Sequence, residues 1–360
     1  MSIQRWIKMT LCAVIALLWL TGCETSPTPT PMSATPTAAP ATPEAPTLSP
    51  TATATEAASS EPPTPTVPPA TPLPTATPSP PVDEPFYEDR SGPTTLLASY
   101  YNAINRREYA RAWDYWETPP HPSYEDFVAG FSDTAAVRLA VRPPTWFEGA
   151  AGSMYTRVPA LVDATHRDGS RHIFVGCFVA RRPNVGGPGV EQVWALFDAT
   201  LHPAPDNSTD ALLLTQACEP TPETSYDDPT GAVRLLASYY NAINLGEYAR
   251  AWDYWETPPN STFEDFVAGF ADTEAVTLVV RPPTRFEGSA GSTYVSIPAL
   301  LSAAQRDGSR HNFAGCFVAR KPNVGGPEID QVWALFDATL DPTPGNTTDI
   351  TLLDQACPTR

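Results

Sequence analysis

The chain has 360 residues, and its 40 acidic against 22 basic side chains give a net charge of −18 at pH 7. Nucleic acid is excluded as a partner, because its phosphates require a surface rich in Lys and Arg. The same acidity disfavours electrostatic attachment to anionic lipid.

Residues 1–22 have the pattern of an export signal. Two basic residues precede residues 9–20, which are apolar except for one threonine, and this order is typical of a secretory signal peptide. Twelve residues span only about 18 Å as a helix, whereas a bilayer core is roughly 30 Å thick. The segment ends in Leu20-Thr21-Gly22-Cys23, which resembles the lipobox of bacterial lipoproteins. The resemblance implies cleavage before Cys23, acylation of Cys23, and an anchor in the bacterial cell membrane facing the extracytoplasmic side.

Residues 23–85 are predicted to be a disordered tether. Residues 24–85 contain 19 prolines and 15 threonines and no aromatic side chain. Such a composition buries too little apolar surface to offset the entropy of ordering, and it favours extended polyproline II conformations.

After the tether the sequence contains two copies of one segment, offset by 139 residues. Residues 94–218 match residues 233–357 without a gap, and 90 of the 125 aligned positions are identical. A period this long indicates domain duplication, because solenoid repeats are about 20–50 residues long. We therefore predict domains at 86–218 and 226–357, joined by the short, Pro-rich connector 219–225.

Each copy is predicted to begin with helices. Apolar residues recur at the spacing of a helical face; they are Leu97, Tyr101 and Ile104 in a first helix, and Tyr109, Trp113 and Trp116 in a second. Pro119-Pro120 is expected to end the second helix. Ser123 with Asp126 three residues later predicts the N-cap of a third helix, and Thr262 with Asp265 repeats this pattern.

The second half of each copy is predicted to be an antiparallel sheet. The apolar alternation around Val137 and Leu139 has the period of a strand, and Asp168-Gly169 predicts a hairpin. We expect Phe174 and Phe178 to face the helices, and the opposite face of that strand to be partly in contact with water. Helices followed by such a sheet make an α+β domain.

These residues resemble the NTF2-like superfamily. The resemblance rests on Tyr100-Tyr101-Asn102-Ala103-Ile104-Asn105, on Tyr109-Ala110-Arg111-Ala112-Trp113, on Gly176-Cys177-Phe178-Val179 and on Trp194. It implies two tandem cone-shaped domains, in each of which helices close one side of a strongly curved antiparallel sheet. Enzymes of this group that resemble ketosteroid isomerase or SnoaL hold a carboxylate base inside the cone.

Four cysteines remain after the signal peptide and Cys23, one pair per copy. Each pair is separated by 41 residues, which predicts the disulfides Cys177–Cys218 and Cys316–Cys357 in an exported protein. A zinc site is the alternative, although the sequence lacks the usual CxxC or Cys/His spacing.

Signals for catalysis are weak. The carboxylates with aromatic neighbours are Asp114, Glu117 and Asp198; the best of them, Asp198, has Asp337 as its counterpart. Six tryptophans are candidates for lining a pocket, and packing in the core is the alternative. They are Trp113, Trp116, Trp194, Trp252, Trp255 and Trp333. We find no catalytic triad order, phosphate loop or metal-ligand spacing, so we predict no catalytic residue, metal or cofactor.

Three functions are compatible with these features. The leading hypothesis is a surface-displayed, non-enzymatic binding protein with two similar sites for an unknown small molecule, envelope protein or glycan. The alternatives are a small-molecule enzyme of the ketosteroid isomerase type and a spacer protein of the cell envelope. A filled cone would disfavour the enzyme.

Overall fold

A computed structural model describes residues 84–184, 192–323 and 332–357. The predictions for the signal peptide, for Cys23 and for nearly all of the tether lie outside these residues. The elements of the first copy are α1 (Pro93–Asn105), α2 (Tyr109–Trp113), α3 (Tyr124–Ala129), β1 (Thr134–Val141), β2 (Glu148–Ala150), β3 (Ser153–His166), β4 (Arg171–Pro183) and β5 (Ala195–Pro203). Those of the second copy are α4 (Ala232–Asn244), α5 (Tyr248–Asp253), α6 (Phe263–Ala268), β6 (Thr273–Val280), β7 (Glu287–Ser289), β8 (Ser292–Gln305), β9 (Arg310–Pro322) and β10 (Ala334–Pro342).

The ten strands form one antiparallel sheet, which makes the described fold mixed α+β with few helices. Its order is β10-β9-β8-β6-β1-β3-β4-β5, with β2 paired to β3 and β7 paired to β8. The halves meet where Val141 of β1 pairs with Val280 of β6. No helix among the described residues combines the length and the apolar character needed to cross a membrane.

The contacts between the copies are reciprocal. Tyr87 stacks on Phe286 with ring centroids 6.1 Å apart, and the equivalent Tyr226 stacks on Phe147 at 5.5 Å. Val141 and Val280 are themselves equivalent positions, 139 residues apart. A contact in which residue i meets j′ and j meets i′ is the mark of a two-fold axis. The two copies are therefore related by an approximate two-fold axis within one chain.

Local sequence signals account for the element boundaries. The Ser123 hydroxyl accepts a hydrogen bond from the Asp126 amide at 3.1 Å, and Thr262 accepts from Asp265 at 3.1 Å, which confirms both predicted helix caps. The hairpin between β3 and β4 turns at Gly169, whose φ is +87°. Positive φ favours glycine because other residues carry a Cβ atom that clashes there.

The second helix is shorter than predicted: it ends at Trp113 and not at Pro119-Pro120. After the helix, the backbone of residues 115–117 pairs with the edge of β5. The Leu196 amide donates to the Tyr115 carbonyl at 2.8 Å, and the Glu117 amide donates to the Leu196 carbonyl at 2.9 Å. Pairing with a strand distant in sequence thus replaces the helical hydrogen bonds that the apolar spacing predicts.

Polar side chains of α1 bind the segment through which the chain enters each copy. The Asn102 side chain, only 1% exposed, accepts from the Tyr87 amide at 3.0 Å and donates to the Pro85 carbonyl at 2.9 Å. Asn241 binds Tyr226 and Thr224 in the same way. The ordered contacts therefore begin before residue 86, and the connector's last residues are held by the second copy.

Other elements pack against both faces of the sheet. The phenylalanine face of β4 meets the helices as predicted, with Phe178 edge-on to Tyr101 at 6.2 Å. The other face is only partly covered: Ile173 is 1% exposed and packs in a second core with Leu214, whereas Val175, Cys177 and Val179 remain partly exposed, as predicted. Leu214 belongs to a 3-10 helix, Ala211–Thr215, that folds over this rear face.

Hydrogen bonding on the rear face accounts for a polar substitution between the copies, Ile173 in the first and Asn312 in the second. In the first copy, buried Asp163 accepts two hydrogen bonds from the Arg171 guanidinium, at 2.6 and 3.1 Å. In the second copy Ser302 and Asn312 stand at the positions of Asp163 and Ile173, and the Ser302 hydroxyl donates to the buried Asn312 amide oxygen at 2.6 Å. Burying an amide costs little when it is hydrogen bonded.

Candidate functional site

The side of the sheet that faces the helices is filled by side chains. In the first copy Tyr100, Tyr101 and Phe178 are 4%, 6% and 1% exposed, and Tyr100 lies edge-on to Trp116 at 5.9 Å. The second copy repeats these contacts. Burial raises the pKa of the Tyr100 and Tyr101 hydroxyl groups, so both phenols stay protonated at neutral pH. These rings fill the space between α1 and β4 in this region, and a cavity of about 300 Å³ lies beside them, lined by Tyr101 and Asn105 of α1 and by Val137 and Leu139 of β1.

The six candidate tryptophans pack against aromatic rings of their own copy. Trp116 and Trp194 are 9% and 2% exposed. The aromatic partners are Phe127 for Trp113, Tyr100 for Trp116, Phe147 for Trp194, Phe266 for Trp252, Tyr239 for Trp255 and Phe286 for Trp333. Four of these rings belong to the apolar core, and Trp113 and Trp252 pack against it.

The candidate carboxylates lie outside the filled interior. Asp198 is exposed, and one of its oxygens accepts a hydrogen bond from the next backbone amide at 2.8 Å. Asp337 is exposed and accepts in the same way at 2.9 Å. Asp114 is exposed, and Glu117 pairs with Arg181 at 2.7 Å. A general base needs a desolvated carboxylate opposite a second polar group, and these residues do not provide one.

We expect that changing Asp198 and Asp337 to Asn leaves the thermal unfolding midpoint unchanged. The reason is that both carboxylates are exposed and bond only to the adjacent backbone. The matched control is Asp163→Asn, which removes the charge that the Arg171 guanidinium binds at a buried position and should cost about 1–3 kcal/mol of unfolding free energy. A large loss of stability in the Asp198 and Asp337 variants would instead give those residues a structural role.

A groove lies on the rear face of the second copy. Its volume is about 660 Å³, within the range of roughly 300–1,000 Å³ that is usual for small-ligand sites. Its walls come from the segment before β7 and from β7, β8, β9 and β10. Its lining includes the side chains of Arg281, Arg285, Glu287, Tyr294, Ser296, Phe336 and Asp337.

Two aromatic rings form a corner in this groove. Phe336 is 44% exposed, and its ring lies edge-on to Tyr294 at 5.5 Å. It owes its exposure to a bulge in β10, because Leu335 and Asp337 pair with consecutive residues of β9 and Phe336 between them is left unpaired. The Tyr294 ring is flanked by the Arg320 guanidinium, which is itself held by Glu256 at 2.8 Å. The Tyr294 ring is thus held in place by Arg320, while the Phe336 ring is exposed to solvent.

A smaller cavity lies at the equivalent place in the first copy. It measures about 160 Å³ and is lined by Arg157, Trp146 and the connector residues Glu219 to Thr221. The residues equivalent to this part of the connector, 358–360, lie outside the described residues. Arg157 is half-buried and pairs with Glu219 at 3.4 Å, whereas Ser296, the small residue at the equivalent position, is exposed. The two copies share a fold but differ at this groove.

No protein-family model matches this chain, and no curated protein matches it significantly. Sequence reasoning named Asp337 but missed Tyr294, Ser296 and Phe336. The available signal was the difference between Arg157 and Ser296, a large cation and a small hydroxyl at one position of an otherwise similar strand.

Proposed function

We propose that this chain is a bacterial, lipid-anchored, extracytoplasmic binding protein, built from two NTF2-like copies, whose ligand occupies the rear groove of the second copy. The open groove outside a filled interior is the observation that carries the proposal. The helices packed on one face of the sheet in each copy support the NTF2-like relationship. The disulfides Cys177–Cys218 and Cys316–Cys357, with S–S distances of 2.05 and 2.08 Å, suit the oxidising conditions outside the cytoplasm.

An enzyme of the ketosteroid isomerase type is less well supported. That chemistry needs a carboxylate and a proton donor converging on an internal cavity. The buried carboxylate of the first copy, Asp163, is on the rear face and is bound by Arg171. The helical side holds packed aromatic rings in place of a substrate.

A ligand panel tests the binding function. Neutral sugars, short peptides and fused-ring apolar compounds should be titrated into the full chain and followed by ligand-observed NMR. We expect at least one class to bind saturably and to lose binding in Ser296→Arg, which introduces the side chain found at the equivalent position of the first copy. Saturable binding that survives this substitution would place the site elsewhere, and no binding from any class would contradict the proposal.

The anchor has its own test. We expect Cys23→Ala to release the protein from the membrane fraction, because the variant lacks the thiol that would be acylated and the acidic chain gains little from electrostatic adhesion. The measurement is fractionation followed by a high-salt wash, with wild type as the control. Retention of the variant in the washed membranes would show that something other than this lipid holds the protein.

A further inference from the structure

We propose that the groove of the second copy binds a neutral oligosaccharide, with one site per chain because the cavity at the equivalent place in the first copy is smaller and is lined by Arg157 and the connector. This inference rests on the proposed binding function and names the ligand class for the same site. It differs from the expectation of two similar sites.

The lining chemistry matches the two kinds of surface that a sugar ring presents. The C–H face of a sugar is apolar and flat, and the exposed Phe336 ring with Tyr294 at right angles offers an apolar corner of that size. The hydroxyl groups at the ring edge can both donate and accept. Asp337 and Glu287 supply acceptors, Arg285 supplies donors, and Ser296 supplies a group that does both.

Charge favours a neutral ligand over an anionic one. Of the two cations in the groove lining, Arg281 is bound by Asp354, and Arg285 shares the lining with two carboxylates, Asp337 and Glu287. The whole chain carries a net charge of −18, so an anionic polymer would be repelled as it approached. A ligand with many hydroxyl groups and no charge is repelled neither by the carboxylates of the groove nor by the net charge of the chain.

The difference between the copies lies in a few side chains. Tyr155 and Phe197 form the same corner in the first copy, with rings 5.5 Å apart and Phe197 44% exposed. Arg157, two residues after Tyr155 in β3, is half-buried and pairs with Glu219 at 3.4 Å. In the second copy, where Ser296 stands at this position, the aromatic corner and the Pro282-Pro283 segment line the same groove.

The experiment uses the full chain and uncharged hexasaccharides of glucose and of N-acetylglucosamine, with an oligogalacturonate as the anionic comparison. Isothermal titration calorimetry measures affinity and stoichiometry. We expect at least one neutral probe to bind with one site per chain and the anionic probe to bind at least about tenfold more weakly. Phe336→Ala and Ser296→Arg should each weaken binding at least about tenfold. Phe197→Ala, which removes the equally exposed ring of the first copy, should leave binding unchanged.

The outcomes separate this inference from the proposed function. Two sites per chain, or an equal loss in Phe197→Ala, would overturn the assignment to the second copy. If no neutral hexasaccharide binds but another class from the ligand panel binds and is lost in Ser296→Arg, the ligand class is wrong and the binding function stands. Circular dichroism melting of each variant shows whether a loss of binding comes from unfolding, and a variant that melts early is replaced by Phe336→Leu.

Discussion

Replacing Gly176 with Ala should destabilise the protein by at least about 3 kcal/mol, and the variant should express poorly or unfold at a much lower temperature. Gly176 lies in β4, where the backbone of β5 crosses very closely. A Cβ atom at this position would lie 1.9 Å from the Thr200 carbonyl oxygen and 2.8 Å from the Leu201 Cα. These are backbone atoms, so no change of rotamer relieves the clash, and the two strands would have to separate.

The second copy provides a replicate and β2 provides a control. Gly315 meets the Thr339 carbonyl at the same 1.9 Å, so Gly315→Ala should have a similar effect. A Cβ at Gly149 meets nothing within 4 Å, and Gly149→Ala should melt close to wild type. Thermal and urea unfolding give the comparison. Near-wild-type stability of both Gly176→Ala and Gly315→Ala would mean that the backbones of the neighbouring strands do not approach these glycines as closely as the structure shows.

Removing the first disulfide by the double change Cys177→Ala and Cys218→Ala should cost about 3–5 kcal/mol, as expected for a loop of this length. The bond joins residues 41 apart and ties the end of the rear segment to β4. That segment carries Leu214, which is fully buried against the sheet. Without the bond the unfolded chain gains conformational freedom, and the rear core loses the constraint that keeps its cover in place.

Urea unfolding of oxidised protein measures this loss. Reduced wild type, which lacks both disulfides, should unfold at or below the urea midpoint of the oxidised double variant. Peptide mapping without reductant should recover Cys177 linked to Cys218 and Cys316 linked to Cys357. An unchanged urea midpoint in the double variant would show that packing alone holds the rear segment.

Local features of the fold could be predicted from the sequence. A capping residue acts on the amide three positions later, and the hairpin at Gly169 depends on one residue that tolerates positive φ. The period of two in β1 and the paired phenylalanines of β4 depend only on the alternation of side chains along a strand. Each of these signals involves neighbours in sequence.

Features that depend on distant partners could not be predicted. The end of α2 is set by Leu196, which follows it by more than 80 residues. Burial of Ile173 depends on the 3-10 helix that carries Leu214, whose short apolar run has no clear period of its own. The join at Val141 and Val280 follows from the approximate two-fold axis, which spacing along the chain does not reveal.

The candidate site was foreseen only in part for the same reason. The sequence indicates Asp337 only as the counterpart of Asp198, a carboxylate with aromatic neighbours, whereas the groove around Asp337 is built from four strands and the segment before β7. The bulge that exposes Phe336 shifts the alternation by one residue, so a regular strand pattern misplaces that ring.

The approximate two-fold axis has a consequence for how this protein can change over generations. In a homodimer a substitution enters both subunits at once, so a mutation that opens or closes a groove does so twice. Here the two halves are encoded separately, and one aligned position holds a large cation, Arg157, in the first copy and a small hydroxyl, Ser296, in the second. Because the halves are fused in one chain, a substitution can change the surface of one copy without changing the other. The sheet and core that the copies share can meanwhile stay intact.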